Sequence, residues 1–193
     1  PQCVTELPPY NDLRPCNLNL NLNDVDFFYN INSKIFSHFS LNDTFSPGII
    51  FVEGLPSSGK TTFLKLLCGL YSPISGSLSL SYNNNDIGLT SIPFIPRFPQ
   101  IFDGTYLDNV SFFDSSLDDA FLNKSLSESG LSHLLKDLDR SIYDSIPSNG
   151  DSLSGKELSS VVLSRILCLK SRIICIDSSF SYLPSDTMST YLD

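Results

Sequence analysis

No apolar stretch of this chain approaches the roughly 20 residues of a membrane-spanning helix. Its start, Pro1-Gln-Cys-Val4, has neither the charged nor the apolar region of a signal peptide. Basic residues are scarce, with 12 Lys and Arg against 21 Asp and Glu, for a formal charge of −9. Nucleic acid is therefore excluded as the main partner, because a phosphate backbone has to be met by clustered cations. The cysteines, Cys3, Cys16, Cys68, Cys168 and Cys175, include no C-x-x-C pair. The last three fall in apolar runs, where free cysteine behaves as a small buried hydrophobe, so a reducing compartment is expected. His38 and His133 have no partner at metal-ligand spacing. What remains is 193 residues of 41% hydrophobic content, enough for one domain with a core and too few for two. The first residue is Pro1 rather than Met, and the expectation is a piece of a longer protein.

Residues 54 to 61 read Gly-Leu-Pro-Ser-Ser-Gly-Lys-Thr, the G-x-x-x-x-G-K-[ST] pattern of a phosphate-binding loop. The run Gly48-Ile-Ile-Phe-Val-Glu53 predicts a short buried strand before it, and Thr61-Thr-Phe-Leu-Lys-Leu-Leu-Cys68 predicts the helix after it. In that arrangement the loop's N–H groups and the helix dipole converge on a phosphate, and Gly54 and Gly59 leave the main chain room to approach. Ser57, Ser58, Gly59, Lys60, Thr61 and Thr62 are the expected contacts, with Lys60 supplying a point charge and Thr61 a hydroxyl for Mg²⁺. The alternative is a chance glycine turn before a helix, on the order of one in a hundred for a chain of this length.

Pro1 to Pro15 is proline-spaced and polar, so residues 1–16 are expected to be a linker. Leu18, Leu20 and Leu22 alternate with asparagines and lead into Val25-Asp-Phe-Phe-Tyr29, and Ser75 to Ser81 alternates likewise, with a turn at 83–86. Antiparallel β structure follows from this period of two. Ser116-x-x-Asp119 resembles a helix start, Gly130 a stop, and Ser132 a cap for a second short helix. Ser154-Gly-Lys-Glu157 is a capping box ahead of Leu158, Val161, Val162, Ile166 and Leu169 on one face. Arg172-Ile-Ile-Cys-Ile-Asp177 then reads as a buried parallel strand ending in a carboxylate. An acid there sits where α/β sheets bind ligands. Asp177 is the natural second holder of a Mg²⁺ shared with Thr61, against the alternative of a solvated strand-end Asp.

The order of these motifs, from about Asn17 to the end, resembles the nucleotide-binding domain of ATP-binding cassette (ABC) transporters, and among them the exporters. Val25 to Asn30 is similar to the family's aromatic loop, Phe63 to Ser77 to the segment after the phosphate loop, and Ile101-Phe-Asp-Gly-Thr-Tyr-Leu-Asp-Asn-Val110 to an exporter stretch. Leu153-Ser154-Gly155-Lys156-Glu157 stands at the signature L-S-G-G-Q, and Ser181 to Pro184 at the loop after Walker B. The resemblance implies an α/β fold. Its parts are a P-loop ATPase core, an antiparallel β subdomain from about Asn17 to Asp86 and a helical subdomain from about Asn109 to Leu153. It implies bound ATP and Mg²⁺, with adenine stacked on Tyr29. Its implied partners are a second nucleotide-binding domain in a head-to-tail dimer and a transporter's transmembrane domain, at the cytoplasmic face of a membrane. An unrelated P-loop kinase or GTPase would leave 102–110 and 153–157 unexplained.

The departures cluster at the chemistry. The family's Gln that contacts Mg²⁺ and water aligns with Arg97, and its catalytic Glu after the Walker B Asp aligns with Ser178. Lys156 replaces a signature Gly, Glu157 replaces the Gln, and Pro184 replaces an Asp. The switch His, some 30 residues beyond Asp177 in the family, has no counterpart in the 193 residues. The domain over 17–193 is thus expected to be incomplete at its C-terminus, with an unfilled lane between the phosphate-loop strand and the Walker B strand. Two functions follow: an exporter's ATP-binding domain that couples ATP binding and hydrolysis to transport, or a catalytically degenerate cassette acting as the regulatory half of a heterodimer.

Overall fold

A computed structural model describes residues 17–30, 33–82, 85–114, 116–146, 153–169, 171 and 173–177. The proposed linker 1–16, Ser178 and the stretch 181–184 lie outside them. The described residues form two compact units, one within Pro1–Phe94 and Ser171–Asp177, the other within Ile95–Lys170.

The first unit is built on an antiparallel sheet. β1 (Leu18–Phe28) pairs on one side with β2 (Lys34–Phe45) and on the other with β3 (Ser75–Tyr82), which carries the short β4 (Asn85–Asp86). The core takes Leu20 and Leu22 from β1, then Val25 and Phe27, a change of phase by one residue. A bulge between Leu22 and Val25 absorbs the change, with Asp24 in the left-handed region at φ 51°. The bulge restores the inward phase that the period of two would otherwise lose. Asp24 N–H donates to Ser40 Oγ at 2.9 Å and its carboxylate meets His38 Nδ1 at 2.8 Å.

Helix α1 (Lys60–Leu67) packs Leu67, with Cys68 just after it, onto this sheet's core, which also holds Leu80, Ile87, Ile92 and Cys175. A 3-10 turn at Leu89–Ser91 leads to β5 (Phe94–Ile95), the partner of β8 (Cys175–Ile176), and Cys175 N–H donates to Pro93 O at 2.9 Å. Arg172 lies outside the described residues, and of the rest of the strand predicted over Arg172 to Asp177 only Cys175–Ile176 is strand. A larger correction concerns Gly48 to Glu53, which is irregular and exposed rather than a buried strand: Phe51 keeps 69% of its surface in contact with solvent and Ile49 53%. A strand is made by its neighbours, and none of the described strands pairs with this run. It is not hydrogen-bonded to β8, as the unfilled lane requires, although no phosphate-loop strand stands on the lane's other side.

Gly76 sits at φ 80°, and a Cβ there would lie 2.3 Å from Asp24 O and 2.4 Å from Asn23 O. Backbone touches backbone at the bulge. Gly76→Ala is expected to cost about 2–4 kcal/mol of stability, read as a lower urea midpoint with unchanged slope. An unchanged midpoint would mean the bulge yields freely.

The second unit is mainly helical. β6 (Gly104–Thr105) pairs with β7 (Ser145–Ile146) and feeds α2 (Tyr106–Ser111), which a Thr105–Asp108 capping box opens. Then follow α3 (Asp119–Glu128), α4 (Leu131–Asp137) and α5 (Gly155–Cys168). Two helix starts differ from expectation. Asp118, not Ser116, caps α3, because Asp114 Oδ1 already takes both the N–H and the hydroxyl of Ser116. Gly130, in the left-handed region at φ 73°, opens α4 in place of Ser132. Tyr106, Val110, Leu126, Leu131, Leu135, Ile146 and Val161 form this unit's core.

Candidate functional site

In the first unit the phosphate loop runs directly into α1. Gly59 is the residue before the helix, at φ 92°, and no side chain caps the N-terminus. The first helical bond is Phe63 N–H to Gly59 O at 2.8 Å, so the N–H groups of the first turn are oriented out of the helix end, as an anion site requires. A Cβ on Gly59 would stand 2.7 Å from Ile35 Cγ2, which together with the left-handed φ reserves the position for glycine. Ser57 is also left-handed, at φ 64°, and Ser58 N–H closes a turn onto Leu55 O at 3.2 Å. Lys60 folds over the loop and donates from Nζ to Gly54 O and Leu55 O, both at 2.8 Å.

The hydroxyl of Thr61 donates to both carboxylate oxygens of Asp177, at 3.1 and 2.9 Å. These residues are 116 positions apart, and the carboxylate is buried. Cis oxygen ligands of an octahedral Mg²⁺, each at about 2.1 Å, lie roughly 3 Å apart, so the spacing and the hard oxygen chemistry fit that ion. Among the described residues there is no group of three or more His, Cys, Asp or Glu side chains able to hold a metal. A Mg²⁺ here would take its remaining ligands from phosphate and water.

Tyr29 borders the same loop: its hydroxyl lies 2.9 Å from Thr62 Oγ1, its ring meets those of Phe27 and Tyr71 edge-on, and half of its surface is exposed. The sequence offers no signal for the part played by Tyr71. Tyr29, Gly54, Ser57 to Thr62 and Asp177 thus all belong to one unit.

Arg97 and the signature-like Leu153 to Glu157 belong to the other unit. Arg97 is exposed, its guanidinium 5.4 Å from the centroid of Phe98. At the start of α5, Ser154 and Glu157 form the predicted reciprocal capping box. Gly155 and Lys156 are exposed beside it, and Glu157 is buried. Its Oε2 accepts from Ser154 N–H and Oγ–H, both at 2.8 Å, and its Oε1 accepts from Tyr106 OH at 2.9 Å and Arg140 Nη1 at 2.6 Å. Burial alone would raise the Glu157 pKa. The four donors overcome that and hold it below the usual Glu range, while burial and the neighbouring carboxylate push the Tyr106 phenol up. Nothing in the sequence spacing pointed to Tyr106 and Arg140.

Four donors aimed at two oxygens explain the carboxylate. A Gln offers one acceptor oxygen and an NH₂ that would face two donors. Glu157→Gln is expected to cost about 1–3 kcal/mol, although it introduces the residue found in the family motif. The folded-state pKa is depressed, so this contribution is fully present above the unfolded pKa and is lost as pH falls through the folded value. The variant should therefore be less stable at neutral pH and show a shallower acid limb; identical stability–pH curves would contradict the network.

A sequence model of the family described as ABC transporter matches residues 41–181. A putative export ATP-binding/permease protein of Rickettsia felis is 29% identical over 89% of this chain and 31% of its own length. The lactococcin-A transport/processing ATP-binding protein LcnC of Lactococcus lactis is 26% identical over 89% of the chain and 25% of its own. The chain thus spans between a quarter and a third of the length of these curated relatives. A solved bacterial Atm1-family ABC exporter with ATP bound shares the fold, with a TM-score of 0.76 at 20% identity, covering 96% of this chain and 33% of that one.

Proposed function

This chain belongs to the ABC transporter family, and on that premise we propose that it is the ATP-binding domain of a membrane exporter. The observation that carries the reading is the Thr61–Asp177 contact, which brings the end of the phosphate loop to the strand-end carboxylate. ATP would lie with its phosphates on Ser57 to Thr62 and its adenine against the exposed side of Tyr29. Thr61 and Asp177 would hold Mg²⁺, which when bound neutralises phosphate charge. The chain's own contributions are electrostatic: backbone N–H groups and Lys60 orient the phosphates, and Asp177 fixes the hydroxyl of Thr61.

The rest of the assembly is proposed from the relatives, which are export components three to four times longer than this segment. No helix among the described residues is long and apolar enough to cross a membrane. The domain would work at the cytoplasmic face in a head-to-tail dimer, with the turn at Ser154 to Lys156 facing the partner's nucleotide. A second reading, a regulatory half of a heterodimer, is favoured by Ser178 and Arg97 at the positions of the family's Glu and Gln.

The test is nucleotide binding with and without the metal. Asp177→Asn is expected to weaken Mg-ATP binding by roughly tenfold, a change of about 1.4 kcal/mol, and to leave ATP binding in EDTA unchanged. Equal losses in both conditions would show that Asp177 supports the loop without holding the ion.

A further inference from the structure

Cys68 and Cys175 are separated by more than half of the chain yet meet inside the first unit. Cys68 follows the last turn of α1, and Cys175 lies in β8, two residues before Asp177. They are 2% and 7% exposed and belong to one apolar cluster with Leu67, Leu80 and Ile92. They also converge on one main-chain group: Pro93 O accepts from Cys175 N–H at 2.9 Å, and Cys68 Sγ lies 4.0 Å from the same oxygen. Neither sulfur takes part in the proposed nucleotide site, and packing alone would be served by Ala or Val at both positions.

We propose that Cys68 and Cys175 are a redox pair that closes to a disulfide when a small peroxide reaches the core, tying the end of the phosphate-loop helix to the strand that carries Asp177.

The chemistry balances with hydrogen peroxide as oxidant. One thiol, as its thiolate, attacks a peroxide oxygen: an S–O bond forms, the O–O bond breaks, and the departing hydroxide takes up the thiol's proton as water. The other sulfur attacks the sulfenic acid: the S–S bond forms, the S–O bond breaks, and a second water leaves with the second proton. The sulfurs lose two electrons together, and the peroxide gains them. A dithiol reductant reverses the bond by exchange. In a reducing compartment the pair therefore stands open.

Closing two separate thiols to an S–S bond of about 2.05 Å draws the sulfurs together by roughly an ångström or more. The strain falls on β8 next to Asp177 and on the helix that begins with Lys60 and Thr61. The effect on nucleotide rests on the site proposed above; formation of the bond does not, and the two are read separately.

The purified chain is treated with hydrogen peroxide, remaining thiols are alkylated, and digests are searched for a peptide joining Cys68 to Cys175, two hydrogens lighter than its parts. The expected result is that cross-link, absent from Cys68→Ala and from Cys175→Ala. The oxidised wild-type chain should melt roughly 5–15 °C higher than the same sample with dithiothreitol, because the bond closes a long loop in the unfolded chain. That comparison needs no variant to fold. Mg-ATP affinity should fall by roughly threefold or more on oxidation, and ATP affinity in EDTA should not. Overoxidation without a cross-link, or cross-links through Cys3, Cys16 or Cys168 in its place, would overturn the pairing. A Cys68–Cys175 bond that leaves Mg-ATP affinity unchanged would overturn its reach to the site.

Discussion

Replacing Lys60 by alanine is expected to weaken ATP binding by roughly 30- to 150-fold, or about 2–3 kcal/mol, the upper part of the range for a hydrogen bond to a charged group. Two of the three donors of its ammonium are directed at the neutral carbonyls of Gly54 and Leu55. An anionic phosphate oxygen competes well against neutral carbonyls, so the side chain is held where the phosphates would arrive and is released to them at small cost. The alanine variant loses the charge and also the two bonds that close the loop. Lys60→Arg separates these effects: the charge remains, but the planar fork does not reproduce a point contact, so an intermediate affinity is expected. Tyr29→Ala should cost less, about 1 kcal/mol, the lower end for base stacking on an aromatic ring. Titration calorimetry decides the matter, and a Lys60→Ala chain with wild-type affinity would remove the phosphate loop from the account.

Features fixed by local geometry were readable in the sequence. The helix start after Gly59 and the Ser154–Glu157 box each need particular residue types at fixed offsets, and both formed as their spacing required. β1 was visible because its leucines alternate. β2 was not: its residue 38 turns left-handed at φ 49°, the inward positions change phase there, and much of the strand is exposed. Features that depend on distant neighbours were misread or missed. Gly48 to Glu53 has strand-like composition, but composition does not supply the strands beside it, and the run stays exposed. Ser116 looked like a cap and is engaged by Asp114. Glu157 was legible as a cap for α5 but not as the acceptor for Tyr106, 51 positions away, and Arg140, 17 away. Pairings at that range are set by how helices pack. The substitution of Glu for the family's Gln, which reads in the sequence as a departure from the motif that can still cap the helix, is in the structure a buried acceptor of four hydrogen bonds.

Ser178 sets the second large effect. Its hydroxyl is a poor general base at neutral pH, and Arg97 carries a permanent charge and accepts no proton. The chain on its own is expected to bind ATP and to hydrolyse it barely above background. In the proposed head-to-tail dimer, the two sites would have different fates. The site on this chain's phosphate loop, completed by a partner's signature, would lack the base. The partner's site would have its own base and borrow the turn at Ser154 to Lys156, where the exposed ammonium of Lys156 stands in place of glycine. Phosphate release from a heterodimer with a complete partner should therefore persist when Lys60 of this chain is mutated and stop when the partner's corresponding lysine is. Ser178→Glu should then switch on the silent site, raising its rate by roughly 10²–10⁴-fold, the usual contribution of a positioned general base. That gain would be sensitive to Lys60→Ala, unlike the partner's activity. Brisk hydrolysis by the unmodified chain alone, abolished by Lys60→Ala, would show instead that another group of this chain activates the water.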